Sequence, residues 1–239
     1  MRAGRWRSPT TTSRSRPDDG AVTHSKSRSP RAAETREVIL TAAERLFAEQ
    51  GVFAVSNRQV SEAAGQGNNT AVGYHFGTKE DLVRAIVVKH ARGIERIRRD
   101  LLESDANDDS DRDDLRTWIT LLVRPSTDYL AQLGRPTWYA RFAAQVITDP
   151  VLRPIVYEEA LASASLRRIV AGLDARKPDL PADVRSSRGA MARNLMTHFV
   201  AETERDIADS RADPVEEWNR CGTDLIDAIV GLWQAPCTR

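Results

Sequence analysis

The stretch from residue 56 to residue 82, SNRQVSEAAGQGNNTAVGYHFGTKEDL, constrains this chain more than any other part of it. It predicts two short helices that flank a glycine turn. Ser56 and Gln59 have the spacing of a capping box, so a helix is expected to begin there. Gly65 stands where that helix would end in left-handed backbone, which glycine adopts without a steric penalty.

A second helix is predicted to run to about Phe76. Its N-cap is one of three consecutive polar residues, Asn68, Asn69 or Thr70. Gly77 and Thr78 then interrupt the helix, and Thr78 can cap a third one. The first turn of that third helix carries Glu80 and Asp81, where the helix dipole favours carboxylates.

An amphipathic helix is predicted upstream, from Glu34 to Gln50. Its apolar positions recur at helical spacing and are Val38, Ile39, Ala42, Ala43, Leu46 and Phe47. The charged positions are expected on the opposite side and are Glu37, Glu44, Arg45 and Glu49. The three N-terminal helices would then share one core.

Three segments, LTAAERLFAEQG at 40–51, AAG at 63–65 and YHFGTKEDL at 74–82, resemble the N-terminal domain of the TetR family of transcriptional regulators. The resemblance implies an all-α homodimer with an N-terminal three-helix helix-turn-helix domain and a larger C-terminal helical domain for ligand binding and dimerisation. The domains expected from this resemblance are a disordered basic tail at 1–32, a DNA-binding domain at 33–93 and the helical domain at 94–239. The helix-turn-helix motif of the DNA-binding domain is expected at about 57–76.

The same resemblance implies double-stranded DNA as a partner and a set of contact residues, which are Asn57, Arg58, Asn68, Asn69, Thr70, Tyr74, His75 and Lys79. Thr70 and Tyr74 would face the groove or its phosphate rim, and Lys79 the DNA backbone. Other interpretations stay open: His75 as a structural or phosphate-side residue, Tyr74 as partly core, and Lys79 as a solvated charge. The turn from Gln66 to Asn69 is one residue longer than the common family spacing, and Gly73 replaces a larger side chain.

Charge is distributed unevenly although the formal net charge is only +1. Residues 1–31 contain eight Lys and Arg against two Asp, which leaves the remainder with a net charge of −5. This tail is either a DNA-binding arm or a disordered leader. The chain has no apolar run long enough for a transmembrane helix and no apolar segment typical of a secretory signal, so a cytoplasmic location is expected.

The acidic segment from Glu103 to Asp114 resembles a calcium loop in its alternating oxygen ligands, but Ser110 and Arg116 stand where glycine and the bidentate glutamate are needed. A solvated loop is therefore favoured. Beyond it the pattern predicts helices at Leu115–Val123, Ser126–Leu133, Thr137–Ile147, Val151–Leu173, Ala182–Ala208 and Pro214–Trp233. Apolar stripes on the last two helices fit either a four-helix dimer interface, which the resemblance implies, or an intrachain core.

Candidates for lining a small-molecule pocket are aromatic residues and one histidine, namely Trp118, Trp138, Tyr139, Phe142, Tyr157, His198 and Phe199. No sequence motif of a hydrolase, a metalloprotease or a nucleotide-binding enzyme is found, so neither a cofactor nor a metal is expected. The function that the resemblance implies is that of a ligand-released repressor that binds a palindromic operator. A helical adaptor for a protein partner, or an enzyme with a site in the C-terminal helical domain, remains as an alternative.

Overall fold

The computed structural model describes residues 30–68, 70–105 and 114–237, and this part of the chain is helical without any strand. Ten helices follow one another: α1 (Pro30–Gln50), α2 (Asn57–Ala63), α3 (Ala71–Phe76), α4 (Lys79–Asp105), α5 (Leu115–Leu133), α6 (Tyr139–Thr148), α7 (Arg153–Ala162), α8 (Ala164–Arg176), α9 (Ala182–Asp209) and α10 (Pro214–Gln234). The predicted fold class, an all-α chain with a small N-terminal domain and a larger helical region, is confirmed. The tail at 1–29, Asn69 and the acidic segment at 106–113 lie outside the described residues.

Two apolar cores organise these helices. The first joins α1 to α4 around the fully buried Phe47 and Ile86, and it extends into α6 through Phe142 and Val146. The second lies where α10 packs along α5, around Ile119 and Trp218. The first core therefore contains residues from both parts of the chain.

Helix α4 connects the two parts. Thr78 begins it with reciprocal hydrogen bonds: the Asp81 amide donates to Thr78 Oγ1 over 3.1 Å, and the Thr78 amide donates to Asp81 Oδ2 over 3.1 Å. The helix then runs for 27 residues. Within the described ranges, none of the helices carries an apolar stretch long and uncharged enough to cross a membrane.

Two predicted helix boundaries are wrong. A break at Pro125 was expected, but α5 continues through it. Proline removes one helical hydrogen bond, and burial of Pro125 and its neighbours against α4 and α10 outweighs that loss. A single helix was expected at 151–173, but Ser163 divides it and accepts a hydrogen bond from the Leu166 amide over 3.0 Å, which starts α8.

Two side chains of α1 also lie opposite to the predicted arrangement. Val38 is exposed although its spacing placed it on the apolar face, whereas Glu44 is buried although it was assigned to the charged face. Glu44 is buried because it has a polar partner on another helix, and the residue spacing within α1 cannot reveal such a partner.

Candidate nucleic-acid interface and effector cavity

The α2–α3 unit is built by short-range hydrogen bonds that match the sequence signals. The Gln59 amide donates to Ser56 Oγ over 3.2 Å, and the Ser56 amide donates to Gln59 Oε1 over 2.8 Å, so the predicted capping box is confirmed. Gly65 follows with a φ of 65°, which confirms the left-handed turn. The chain then reverses direction, because the Gln66 amide donates to the Ser61 carbonyl over 3.0 Å.

A turn formed by the Asn68 side chain precedes α3. Asn68 Oδ1 accepts from the Thr70 amide over 2.9 Å and from Thr70 Oγ1 over 2.7 Å, whereas Thr70, at the N-cap position, makes no capping bond with its own side chain. The two helices are held together by Ser61 Oγ, which accepts from the Val72 amide over 3.4 Å. Asn68 and Thr70 therefore fix the position at which α3 begins.

Helix α3 has one buried face and one exposed face. Ala71 and Val72 point into the core, whereas Gly73 is exposed and Tyr74 is 84 % exposed. Such exposure excludes the interpretation of Tyr74 as partly core. The Tyr74 ring meets His75 edge-on with centroids 5.0 Å apart, so these two side chains together form the most prominent feature of this face.

Two basic side chains form hydrogen bonds that connect the end of α3 and the start of α4 to neighbouring segments. Arg36 on α1 donates to the His75 carbonyl, and its guanidinium lies 4.0 Å from the Phe76 ring centroid. Lys79 donates from Nζ to the Val55 carbonyl over 2.6 Å and to the Val52 carbonyl over 3.1 Å. These bonds lock α3 against α1 and against the loop before α2.

The remaining predicted DNA contacts lie at the head of α2. Arg58 is exposed and paired with Glu62 over 2.8 Å. Asn57 is half-buried, and its Oδ1 finds no hydrogen-bond partner among the described residues. Both lie in the first turn of α2, at the N-terminal end of a helix where backbone amides favour phosphate.

A buried polar chain connects α1 to the C-terminal helices. His90 Nε2 on α4 lies 2.7 Å from Glu44 Oε2, and His90 Nδ1 lies 3.0 Å from the Tyr129 hydroxyl on α5. The Tyr139 ring on α6 stacks on the His90 imidazole with a centroid separation of 3.8 Å. Burial raises the pKa of Tyr139 well above its ordinary value, so this phenol is neutral at physiological pH.

A cavity of about 380 Å³, called the larger cavity below, is bordered by Tyr139 and lies among α4, α5, α7 and α8. Its wall is largely apolar and includes Val87, Ala91, Ile94, Val156 and Leu166. Its polar part contains Glu95, Arg98 and Ser163. The volume lies within the range of about 300–1,000 Å³ that is usual for small-molecule sites.

Glu95 is bound from several sides. Its carboxylate accepts from the hydroxyls of Ser163 and Ser165, each over 2.8 Å, and from Arg98 over 2.6 Å. Burial alone would raise the pKa of Glu95, but the hydrogen bonds from Ser165, Ser163 and Arg98 outweigh it and lower the pKa. Glu95 is therefore ionised, and burial lowers the pKa of Arg98 without preventing its pairing with Glu95.

The predicted pocket residues do not converge on this cavity. Tyr139 lines it, whereas His198 lines a separate cavity of about 270 Å³ between α6 and α9. Trp118 packs on Gly172 and Arg176, and Phe142 stacks near Phe47 in the first core. The other three lie elsewhere, with Trp138 partly buried before α6 and with Tyr157 and Phe199 exposed.

Sequence reasoning missed Arg36, Glu95 and Arg98. Arg36 lies 39 residues from the carbonyl that it binds, and the Ser163 hydroxyl lies 68 residues from Glu95. In the described ranges, no three His, Cys, Asp or Glu side chains come together as metal ligands would.

The family model described as bacterial regulatory proteins, tetR family, matches residues 39–86, which span α1 from Ile39 through α2 and α3 into α4. No curated protein matches the chain.

Several solved structures share the fold. A protein of Shewanella sp. PV-4 superposes with a TM-score of 0.55 at 16% identity, covering 86% of this chain and 99% of that one. The fatty acid degradation regulator FadR from Bacillus halodurans superposes with a TM-score of 0.52 at 17% identity, covering 80% and 94%. NalD, the secondary repressor of the MexAB-OprM multidrug efflux pump in Pseudomonas aeruginosa, superposes with a TM-score of 0.51 at 22% identity, covering 83% and 96%.

Proposed function

Because the chain belongs to the TetR family of bacterial regulatory proteins, we propose that it is a repressor that binds a palindromic DNA operator as a homodimer and is released by a small molecule. The observation that carries this proposal is the α2–α3 unit, in which one face of α3 is anchored in the core and the other presents Tyr74 to solvent. Such a rigidly held, exposed short helix is the part of a helix-turn-helix that enters the major groove.

The contact residues take different roles in this proposal. Thr70 and Tyr74 contact base edges or the groove rim, and Asn57 and Arg58 contact phosphate at the head of α2. Lys79 uses two of its three ammonium hydrogens on the carbonyls of the loop before α2 and offers the third to phosphate. Asn68 and His75 complete the rim of this face, and Asn69, outside the described residues, belongs to the same set.

The homodimer is proposed to form along α9. Met191, Leu195 and Phe199 are exposed, and their spacing of four residues places them on one side of that helix. The predicted stripe on α10 is different, because Trp218, Leu225 and most of its other members are buried in the intrachain core. The apolar face left open to a second copy is therefore on α9.

Release is proposed to begin in the larger cavity. A bound molecule touches Tyr139, which stacks on His90, and His90 is bonded to Glu44 in the N-terminal domain. If the molecule prefers a different position of Tyr139, it shifts α1 relative to α4 and changes the separation of the two recognition helices in the dimer. Operator affinity then falls because the half-site spacing no longer matches.

Selection of bound duplexes from a random DNA library by the purified full-length protein tests the proposal. The expected result is enrichment of a short inverted repeat, with altered base preference in Tyr74→Ala and a smaller alteration in Tyr74→Phe, which keeps the ring. Tyr157→Ala, an exposed tyrosine on α7, is the matched control and should select the same repeat as wild type. Failure to enrich any inverted repeat would overturn the proposal.

A further inference from the structure

Among the residues that line the larger cavity, Arg98 carries a buried donor atom, Nε, for which the described part of the chain supplies no acceptor. We propose that the molecule bound there is an organic anion, a carboxylate on an apolar body, with Arg98 as the residue that recognises its carboxylate. This inference rests on the proposed function only in placing the effector in this cavity.

Arg98 is the basis of the inference because its guanidinium is buried and incompletely bonded. The side chain is 10% exposed, and Nη1 is held by Glu95 over 2.6 Å. Its Nε finds no hydrogen-bond partner in the part of the chain that the structure describes, and that atom is shielded from solvent. A buried donor of a charged group without an acceptor is energetically costly, so an acceptor supplied by a bound molecule is favoured.

Glu95 is already bonded to three donor side chains. Its two oxygens already accept from Ser163, Ser165 and Arg98. For the same reason Glu95 is a poor partner for a cationic molecule, which would have to displace these donors. The unsatisfied group of this site is thus a donor, and it selects for an oxygen acceptor.

A carboxylate satisfies this donor better than a neutral oxygen does. A carboxylate adds attraction between opposite charges to the hydrogen bond, and its two oxygens match the edge of a guanidinium that carries Nε. The other charged groups on the wall, Arg92 and Glu159, have opposite signs, so they do not oppose an added anion. Arg98 is one of the residues that line the cavity, so a bound carboxylate would lie beside its side chain.

The rest of the cavity wall determines which chemistry is expected for the ligand apart from its carboxylate. Val87, Ala91 and Ile94 lie along α4, and Val156 and Leu166 face them from α7 and α8. These side chains offer no hydrogen bonds, so the favourable contribution there is burial of apolar surface. An aliphatic or aromatic monocarboxylate fits both parts of the cavity.

Isothermal titration calorimetry of the full-length protein with octanoate, 1-octanol and octylamine tests the inference, because the three probes share a chain and differ in the head group. Octanoate should bind about tenfold to a hundredfold more tightly than octanol, and octylamine should bind least. Equal affinities for octanoate and octanol, or tighter binding of octylamine, would overturn it.

Variants of Arg98 test whether this residue causes the preference for octanoate over octanol. In Arg98→Gln the preference for octanoate over octanol should disappear, and in Arg98→Lys, which keeps the charge but loses the planar fork, it should be reduced. Arg99→Gln is the matched control, an exposed neighbour on α4 away from the cavity wall, and should retain the full preference. Ala91→Phe should abolish binding of octanoate by filling the apolar part, and circular dichroism verifies that each variant is folded.

This experiment contains no DNA. A preference for octanoate in a protein that selects no operator would support the inference and reject the proposed function. If the protein selects an operator but binds octanoate and octanol with equal affinity, the proposed function is supported and the inference is rejected.

Discussion

His90 Nε2 on α4 lies 2.7 Å from Glu44 Oε2 on α1, and both side chains are buried where the N-terminal domain meets the C-terminal helices. An ion pair between Lys89 Nζ and Glu37 Oε2 over 2.9 Å joins the same two helices at the surface. One contact is buried and the other is exposed, so together they test how much of the connection between α1 and α4 depends on the buried contact.

We predict that Glu44→Ala lowers the free energy of unfolding by about 2–4 kcal/mol, because it leaves His90 buried without its partner. Glu37→Ala removes a solvated pair and should cost less than about 1 kcal/mol. Urea denaturation of both variants at one protein concentration measures the difference. Equal losses would show that the buried pair is no more important than the surface pair.

The local parts of the fold could be predicted from the sequence, whereas the long-range polar contacts could not. Ser56, Gln59 and Gly65 act within one or two helical turns, so their residue types suffice to place α2 and its turn. Glu44 was assigned to the solvent side because helical spacing considers only α1, and its partner lies 46 residues away. The cavity was missed for the same reason, since its wall combines residues from several helices.

Gly73→Ala should stabilise the protein and yet weaken its binding to DNA. Alanine favours a helix over glycine by about 1 kcal/mol, and no described atom outside the local helix lies within 4 Å of a Cβ built at Gly73. The exposed position therefore leaves close approach of the DNA as a reason for glycine. Thermal unfolding and operator titration measure the two effects, and unchanged operator affinity would show that DNA does not approach Gly73.

Lys79→Ala should lower both stability and DNA affinity. Loss of the bonds to Val52 and Val55 should cost about 1–2 kcal/mol of unfolding free energy, because their carbonyls lose a charged donor. Affinity should fall alike for all operator variants, because a phosphate contact carries no sequence information.

Arg58→Ala is the comparison for Lys79. It should also weaken all duplexes alike and reduce the slope of log affinity against log salt by about 0.9. Its effect on stability should be small, since its pair with Glu62 is exposed. An unchanged free energy of unfolding in Lys79→Ala would show that the hydrogen bonds of Lys79 to Val52 and Val55 do not stabilise the fold.

If the chain forms the proposed dimer, Leu195→Glu should convert it to a monomer. Leu195 lies between Met191 and Phe199 on the exposed side of α9, and a second copy of the chain would bury a carboxylate there without a partner. A monomer engages one half-site, so affinity for the inverted repeat should fall while the free energy of unfolding within the monomer changes little. Leu161→Glu, at an exposed leucine on α7, serves as the control and should remain dimeric. Light scattering after size-exclusion chromatography measures the mass of each variant, and a dimeric Leu195→Glu protein would place the interface elsewhere.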